Sequence, residues 1–148
     1  MKRIHLDFET RSEIDIRKSG AWAYAAHHST EIICLSWAYR DGEPYIWYPG
    51  CPYDQELNEL FLAIEDGWKL FAWNASFEFF IWNMVGVPKN GWPAVPKHQF
   101  IDTAAIAMSL GLPASLGPCG KILELDIQKD KRGEDLINKL SKPRRGYK

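Results

Sequence analysis

The segment Ile4-His5-Leu6-Asp7-Phe8-Glu9-Thr10 carries an apolar strand into two carboxylates spaced i, i+2. Side chains alternate along a strand, so Asp7 and Glu9 emerge on one face while Phe8 points into the core. Two anions side by side repel, and each resists ionising without a counter-charge. A divalent cation supplies that charge, and oxygen donors suit Mg²⁺ or Mn²⁺, the ions of paired-metal phosphoryl chemistry. A third acid, Glu78, follows a later apolar run, Trp68 to Trp73, on the first turn of the helix that Asn74 opens. If the two strands are neighbours, all three carboxylates converge at one sheet edge, where open α/β sheets keep their sites. Taken singly, Asp-x-Glu is a common tripeptide, and acids favour helix N-termini for electrostatic reasons alone.

The elements that must position these acids follow from periodicity. The first strand covers about residues 2–8, and residues 10–30 read as an irregular excursion. Glu31 to Tyr39 is a buried strand, and Asp41-Gly42-Glu43-Pro44 turns it into a hairpin with Tyr45-Ile46-Trp47-Tyr48. Asp54 caps a helix carrying Leu57, Leu60, Phe61 and Ile64, which Gly67 closes. After Trp68–Trp73, Asn74 reads as an N-cap, and Phe77, Phe80, Ile81 and Met84 form the next buried stripe. A Pro/Gly-rich loop is expected over 86–97. Gln99-Phe100-Ile101 is a short strand leading to Asp102, which caps an Ala-rich helix to Leu110; Ser115 starts another, and 133–140 form a last one. Three meandering strands followed by strand–helix alternation predict an α/β fold with a mixed sheet flanked by helices.

Composition bounds the function. The 148 residues, 46% hydrophobic, make one domain with a proper core. Seven Trp, seven Phe and six Tyr fill that core, with some left to stack on bases. The net charge of −1 gives no overall field for nucleic acid, yet residues 121–148 carry +4 and residues 1–120 carry −5. The basic stretch Lys139 to Lys148 either solubilises the terminus or touches phosphates. Cys34, Cys51 and Cys119 are odd in number and far apart, without zinc-ligand spacing, which points to a reducing compartment. His27-His28 reads as bland surface. There is no membrane-length apolar run and no signal-peptide pattern, so a soluble, intracellular (cytoplasmic) protein is expected.

With the acids placed, Asp7-Phe8-Glu9-Thr10 followed by Asn74-Ala75-Ser76-Phe77-Glu78 resembles the first two motifs of the DEDD (DnaQ-like) 3′–5′ exonucleases. The version attached to phage-type family A DNA polymerases is similar in further stretches. These are Glu9 to Gly20, Ile101-Asp102-Thr103, Gly111-Leu-Pro-Ala-Ser-Leu116 and Leu140-Ser-Lys-Pro143. The likeness spans almost the whole chain, 1–148, as a single domain. It implies a ribonuclease H-like mixed five-stranded sheet, and a proofreading-type exonuclease acting on single-stranded DNA from its 3′ end. It implies Asp7, Glu9 and Glu78 as catalytic and metal-binding residues for two Mg²⁺ or Mn²⁺ ions. Phe8, Thr10, Asn74 and Phe77 are implied as substrate-binding residues, with Thr10 offering its backbone N–H or simply forming a turn.

The chain departs from the family in two places. The acid of the second motif is commonly Asp, so Glu78 adds a methylene. The family's third motif, a Tyr- or His-headed helix with a fourth carboxylate, has no match before Lys148, since Tyr147 has one residue after it. His98-x-x-x-Asp102 imitates the spacing in the wrong place, so His98 reads as a decoy and Asp102 as a helix cap. Asp126, Asp130, Glu134 and Asp135 are the acids left to substitute. Weak activity or a preference for Mn²⁺ is the expected consequence, since a missing general-base positioner costs about 10²–10⁴-fold. The alternative is a catalytically weak or inactive nucleic-acid-binding domain, or the amino-terminal part of a split DNA polymerase completed by a partner chain. RNA as substrate is a third possibility. Phe8, Trp22 and Trp73 are the aromatics available for stacking. For a viral protein the compartment would be the host cytoplasm.

Overall fold

A computed structural model describes residues 2–51, 54–126 and 130–141; within these, the side chains of Lys131 and Glu134 are outside the description. The Lys142-Pro143 part of the Ser-Lys-Pro element, Tyr147 and most of the basic C-terminal stretch therefore lie outside the described residues.

Five strands form one sheet in the order β3-β2-β1-β4-β5. They are β1 (Arg3–Arg11), β2 (Glu31–Tyr39), β3 (Tyr45–Trp47), β4 (Lys69–Ala72) and β5 (Phe100–Asp102). The first three run antiparallel, with Leu6 opposite Trp37 and Trp37 opposite Tyr45. β4 lies parallel to β1, pairing Ile4 with Leu70, and β5 lies parallel to β4. Helices α1 (Ile16–Ala26), α2 (Gln55–Glu65), α3 (Ala75–Ile81), α4 (Val87–Asn90), α5 (Thr103–Ser109), α6 (Leu116–Ile122) and α7 (Lys131–Ser141) flank it. The expected α/β fold with a mixed five-stranded sheet is the observed one, and its arrangement is consistent with the ribonuclease H-like class.

The alternation of β1 is strict: Ile4, Leu6, Phe8 and Thr10 are buried, while His5 and Asp7 are exposed and Glu9 is half-exposed. A bulge follows. Glu9 pairs with Cys34 and Thr10 with Ile32, leaving Ile33 as the extra residue on β2. Such bulges increase local twist and re-aim side chains at a strand end. The core joins Leu35 and Trp37 of β2 to Leu60 and Ile64 of α2 and to Ile81, Trp82 and Val85 beyond β4.

Several expectations need correction. Residues 10–30 are not irregular: β1 runs to Arg11, and α1 follows, opened by Asp15, whose Oδ1 accepts the Arg17 N–H at 2.9 Å. Gly20, at φ 78° and ψ 164°, interrupts α1, and that break hid its periodicity. The 86–97 stretch is not one loop. α3 continues through a π-helical turn, Trp82–Gly86, into α4, so only the part after Gly91 is extended before the 3₁₀ turn Lys97–Gln99. By contrast, Asp54 caps α2 as expected, accepting from Leu57 N–H at 3.0 Å, and Gly67 (φ 80°) ends it.

Candidate active site

β1 and β4 are parallel neighbours, so their C-terminal ends share one sheet edge, and Asp102 ends β5 at the same edge. Beyond β4 the chain passes Trp73 and Asn74 into α3, which touches β1. Asn74 does not cap this helix with its side chain. It sits in the left-handed region (φ 67°, ψ 53°), a conformation that Asn tolerates better than most residues, and turns the chain sharply into α3. What ties this corner is Asp102. Its Oδ1 accepts from the backbone N–H of Asn74 (3.1 Å), Ala104 (2.9 Å) and Ala105 (3.3 Å), confirming the cap on α5 and linking it to the start of α3.

Asp102→Ala leaves those three donors without this acceptor. The expected cost is about 1–2 kcal/mol, and Asp102→Asn, which caps nearly as well, should cost less than half of that. Urea denaturation of both variants checks this; equal losses would mean that the charge, not the cap, matters.

Glu78 is buried, at 3% exposure, and its Oε2 has no hydrogen-bond partner among the described residues. Burial pushes its pKa up from 4.5 to about 8, with the charges of Asp7 and Asp102 adding to the shift and a hydrogen bond from its own backbone N–H opposing it. Asp7 is likewise raised by desolvation at the strand end. The Cys34 thiol, opposite Glu9, is raised first by burial and then by the nearby Glu9 and Asp7 charges. The strand end and the α3 turn therefore bring the carboxyls of Asp7 and Glu78 close enough to influence each other. Among the described residues, however, no three His, Cys, Asp or Glu side chains are already gathered as a metal cluster.

The other predicted residues divide. Glu9, Phe8, Thr10 and Phe77 all line one cleft of about 670 Å³ beside the β1 end. Phe8 is mostly core, stacked on Trp92 (6.0 Å between ring centroids) and edge-on to Trp82 (6.2 Å). Phe77 is half-buried, 6.1 Å from the Tyr24 ring. Thr10 is a strand residue rather than a turn former, and its hydroxyl lies 3.0 Å from the Tyr24 hydroxyl. Trp22 is exposed away from the cleft lining, and Trp73 spends its indole N–H on the Ala114 carbonyl at 3.0 Å. His98 sits at the opposite end of β5 from Asp102, as a decoy should.

Sequence reasoning missed Tyr24, Arg17 and Lys18 in the cleft wall, because it read no helix over 10–30; the one available signal was Asp15 as an N-cap. It also did not place α7 opposite them, where Ile137, Asn138 and Ser141 close the cleft. Among the described side chains, Asp126, Asp130 and Asp135 are not part of the lining. Asp130 instead caps α7, accepting from Arg132 N–H (2.9 Å) and Gly133 N–H (3.2 Å), while Asp126 and Asp135 are exposed.

No protein-family profile matches the chain. Over 144 residues it is 32% identical to the DNA polymerase of Bacillus phage SP02, an alignment covering 97% of this chain and 21% of that polymerase. The chain is thus similar to a phage DNA polymerase over nearly all of its own length and spans about a fifth of the relative's. Among the described residues, no helix is long and apolar enough to cross a membrane.

Proposed function

We propose that the chain is a metal-dependent 3′–5′ exonuclease acting on single-stranded DNA, with Asp7, Glu9 and Glu78 as its catalytic carboxylates. The observation that carries this reading is Glu78: a buried carboxylate with an unpartnered oxygen, set near Asp7 at the edge where β1 and β4 end. Burying such a group costs several kcal/mol unless something compensates it, and a cation would. The donor set is all oxygen, which fits Mg²⁺ or Mn²⁺. When bound, a pair of such ions would activate water and stabilise the leaving 3′-oxygen.

The chain's own residues supply the rest. Asp7 and Glu9, on one face of a rigid strand, would hold the ions from one side and Glu78 from the other. Phe77 and Phe8 would give the terminal base an apolar wall, and Thr10 lines the same cleft. Asn74, exposed at the left-handed turn, is placed to meet substrate from the α3 side.

A second reading, the amino-terminal part of a split polymerase or a binding domain with little activity, is favoured by the relative's much greater length. A gel assay separates the two. With 5′-labelled single-stranded DNA and Mn²⁺ or Mg²⁺, we expect a ladder shortening from the 3′ end. It should vanish in EDTA and fall at least about 100-fold in Asp7→Ala. Intact DNA under every metal condition, from folded protein, would leave the binding or split-polymerase reading. An RNA oligonucleotide run alongside reads the tolerance for the 2′-hydroxyl.

A further inference from the structure

We propose that Arg17 and Lys18 grip the backbone phosphates of single-stranded DNA whose 3′ end lies at Glu9, in the cleft between the start of α1 and α7. The inference rests on the nuclease reading and extends it to how the strand is held. The cleft, about 670 Å³, is lined by three kinds of group: the Glu9 carboxylate on β1, the rings of Phe8, Tyr24 and Phe77, and Arg17 with Lys18 on the first turn of α1. Acid, aromatic and cation together suit the parts of a terminal nucleotide and its upstream backbone. Its volume falls within the ~300–1,000 Å³ typical of small-ligand sites.

The two cations are available. Both are exposed, and neither enters an ion pair among the described residues. Other cations are committed elsewhere: Arg11 pairs with Glu31 at 2.6 Å, and Lys89 binds the carbonyls of His28 and Thr30, each at 2.7 Å. Besides Glu9, the acid in the lining is Asp15, whose Oδ1 is engaged by the Arg17 backbone N–H.

The turn carrying these side chains is also aimed separately from the rest of α1. Asp15 holds it, its carbonyl accepting from Lys18 and Ser19 N–H at 3.0 Å each, and Gly20 then breaks the helix at φ 78°. A Cβ at Gly20 would meet nothing within 4 Å, so the glycine serves the backbone conformation and not close packing. Residues 1–120 carry −5 overall, which repels DNA at a distance. Cations placed at the cleft itself offset that repulsion where the strand would lie.

The test is binding without cleavage. Fluorescence anisotropy of a short labelled oligothymidylate in EDTA is followed over a salt series for the wild type, the Arg17→Ala/Lys18→Ala double variant and Arg17→Lys. Each lost phosphate contact lowers the slope of log affinity against log salt by about 0.7 for single strands, so the double variant should lose about 1.4. It should also weaken binding equally on oligothymidylate and oligodeoxyadenylate, while Arg17→Lys keeps the slope. Circular dichroism confirms that the variants fold.

An unchanged slope in the folded double variant overturns the assignment, whatever the cleavage assay shows. Absence of oligonucleotide binding by the wild type also overturns it. In either case a Mn²⁺-dependent ladder keeps the nuclease reading standing, and its absence removes that too.

Discussion

Glu78→Gln should make the metal-free protein more stable than the wild type above about pH 8 and flatten its stability against pH. The folded carboxyl titrates near pH 8, while the same group in the unfolded chain titrates near its ordinary 4.5. Between those values the folded state holds a proton that the unfolded state has released. Stability is then highest below the unfolded pKa, falls as pH rises, and levels off above the folded pKa. At about 1.4 kcal/mol per pH unit over that window, the decline amounts to roughly 5 kcal/mol, a large share of the 5–15 kcal/mol that holds a typical domain. Glutamine keeps the shape without the charge, and its amide can donate toward the neighbouring acids, Asp7 and Asp102. Asp7, whose own pKa is raised, contributes a slope of the same sign that survives in the variant.

Urea denaturation in EDTA from about pH 5 to about pH 9 measures this directly. Parallel profiles for wild type and variant would show that Glu78 is solvated or partnered in solution. The same experiment bears on the proposed cation. With EDTA left out and Mg²⁺ added at the alkaline end, the cation should restore stability to the wild type by mass action and do little for Glu78→Gln.

The frame of this site is legible because it depends on local rules. Alternation from Ile4 to Thr10 sets the faces of β1, Asp54 and Asp102 announce their helices through short side-chain oxygens, and Asp41-Gly42 marks the hairpin. The positions that escaped depend on long-range placement or on one backbone angle. Asn74 has the composition of an N-cap, but its left-handed φ turns its side chain away from that duty. α1 buries little beyond Tyr24 and Ala25 and is broken at Gly20, so its periodicity never reaches a recognisable length. That Glu78 Oε2 has no hydrogen-bond partner among the described residues is a fact about what surrounds it, and no spacing in the sequence records it. The acids and the repulsion between Asp7 and Glu9 were visible; the burial of Glu78 was not.

Gly86→Ala should destabilise the fold by about 1–2 kcal/mol net, reversing the usual sign of that substitution. In a helix interior, alanine is ordinarily favoured over glycine by about 1 kcal/mol. Gly86 has helical angles, φ −59° and ψ −50°, so its backbone does not require glycine. The obstacle is Trp92. A Cβ on Gly86 would sit 2.4 Å from Trp92 Cε3 and 2.9 Å from Cζ3, well inside van der Waals contact. The ring cannot easily step aside, for it lies 4.9 Å from both the Trp47 and Trp82 rings and 6.0 Å from Phe8. Trp82 is itself fully buried and fixed by its indole N–H on the Pro93 carbonyl at 2.8 Å. Overpacking a core this rigid costs about 1–3 kcal/mol and outweighs the helix gain.

A double-mutant cycle with Trp92→Leu isolates the clash: removing the ring should make Gly86→Ala neutral or stabilising, giving a coupling of about 1–3 kcal/mol. Additive effects would place the cost in the π-helical turn instead. The strain would also reach the site, because Trp92 packs on Phe8, which lies between Asp7 and Glu9 in β1. Loss of cleavage in Gly86→Ala, recovered when Trp92 is made smaller, would show that this aromatic cluster sets the position of the carboxylate pair.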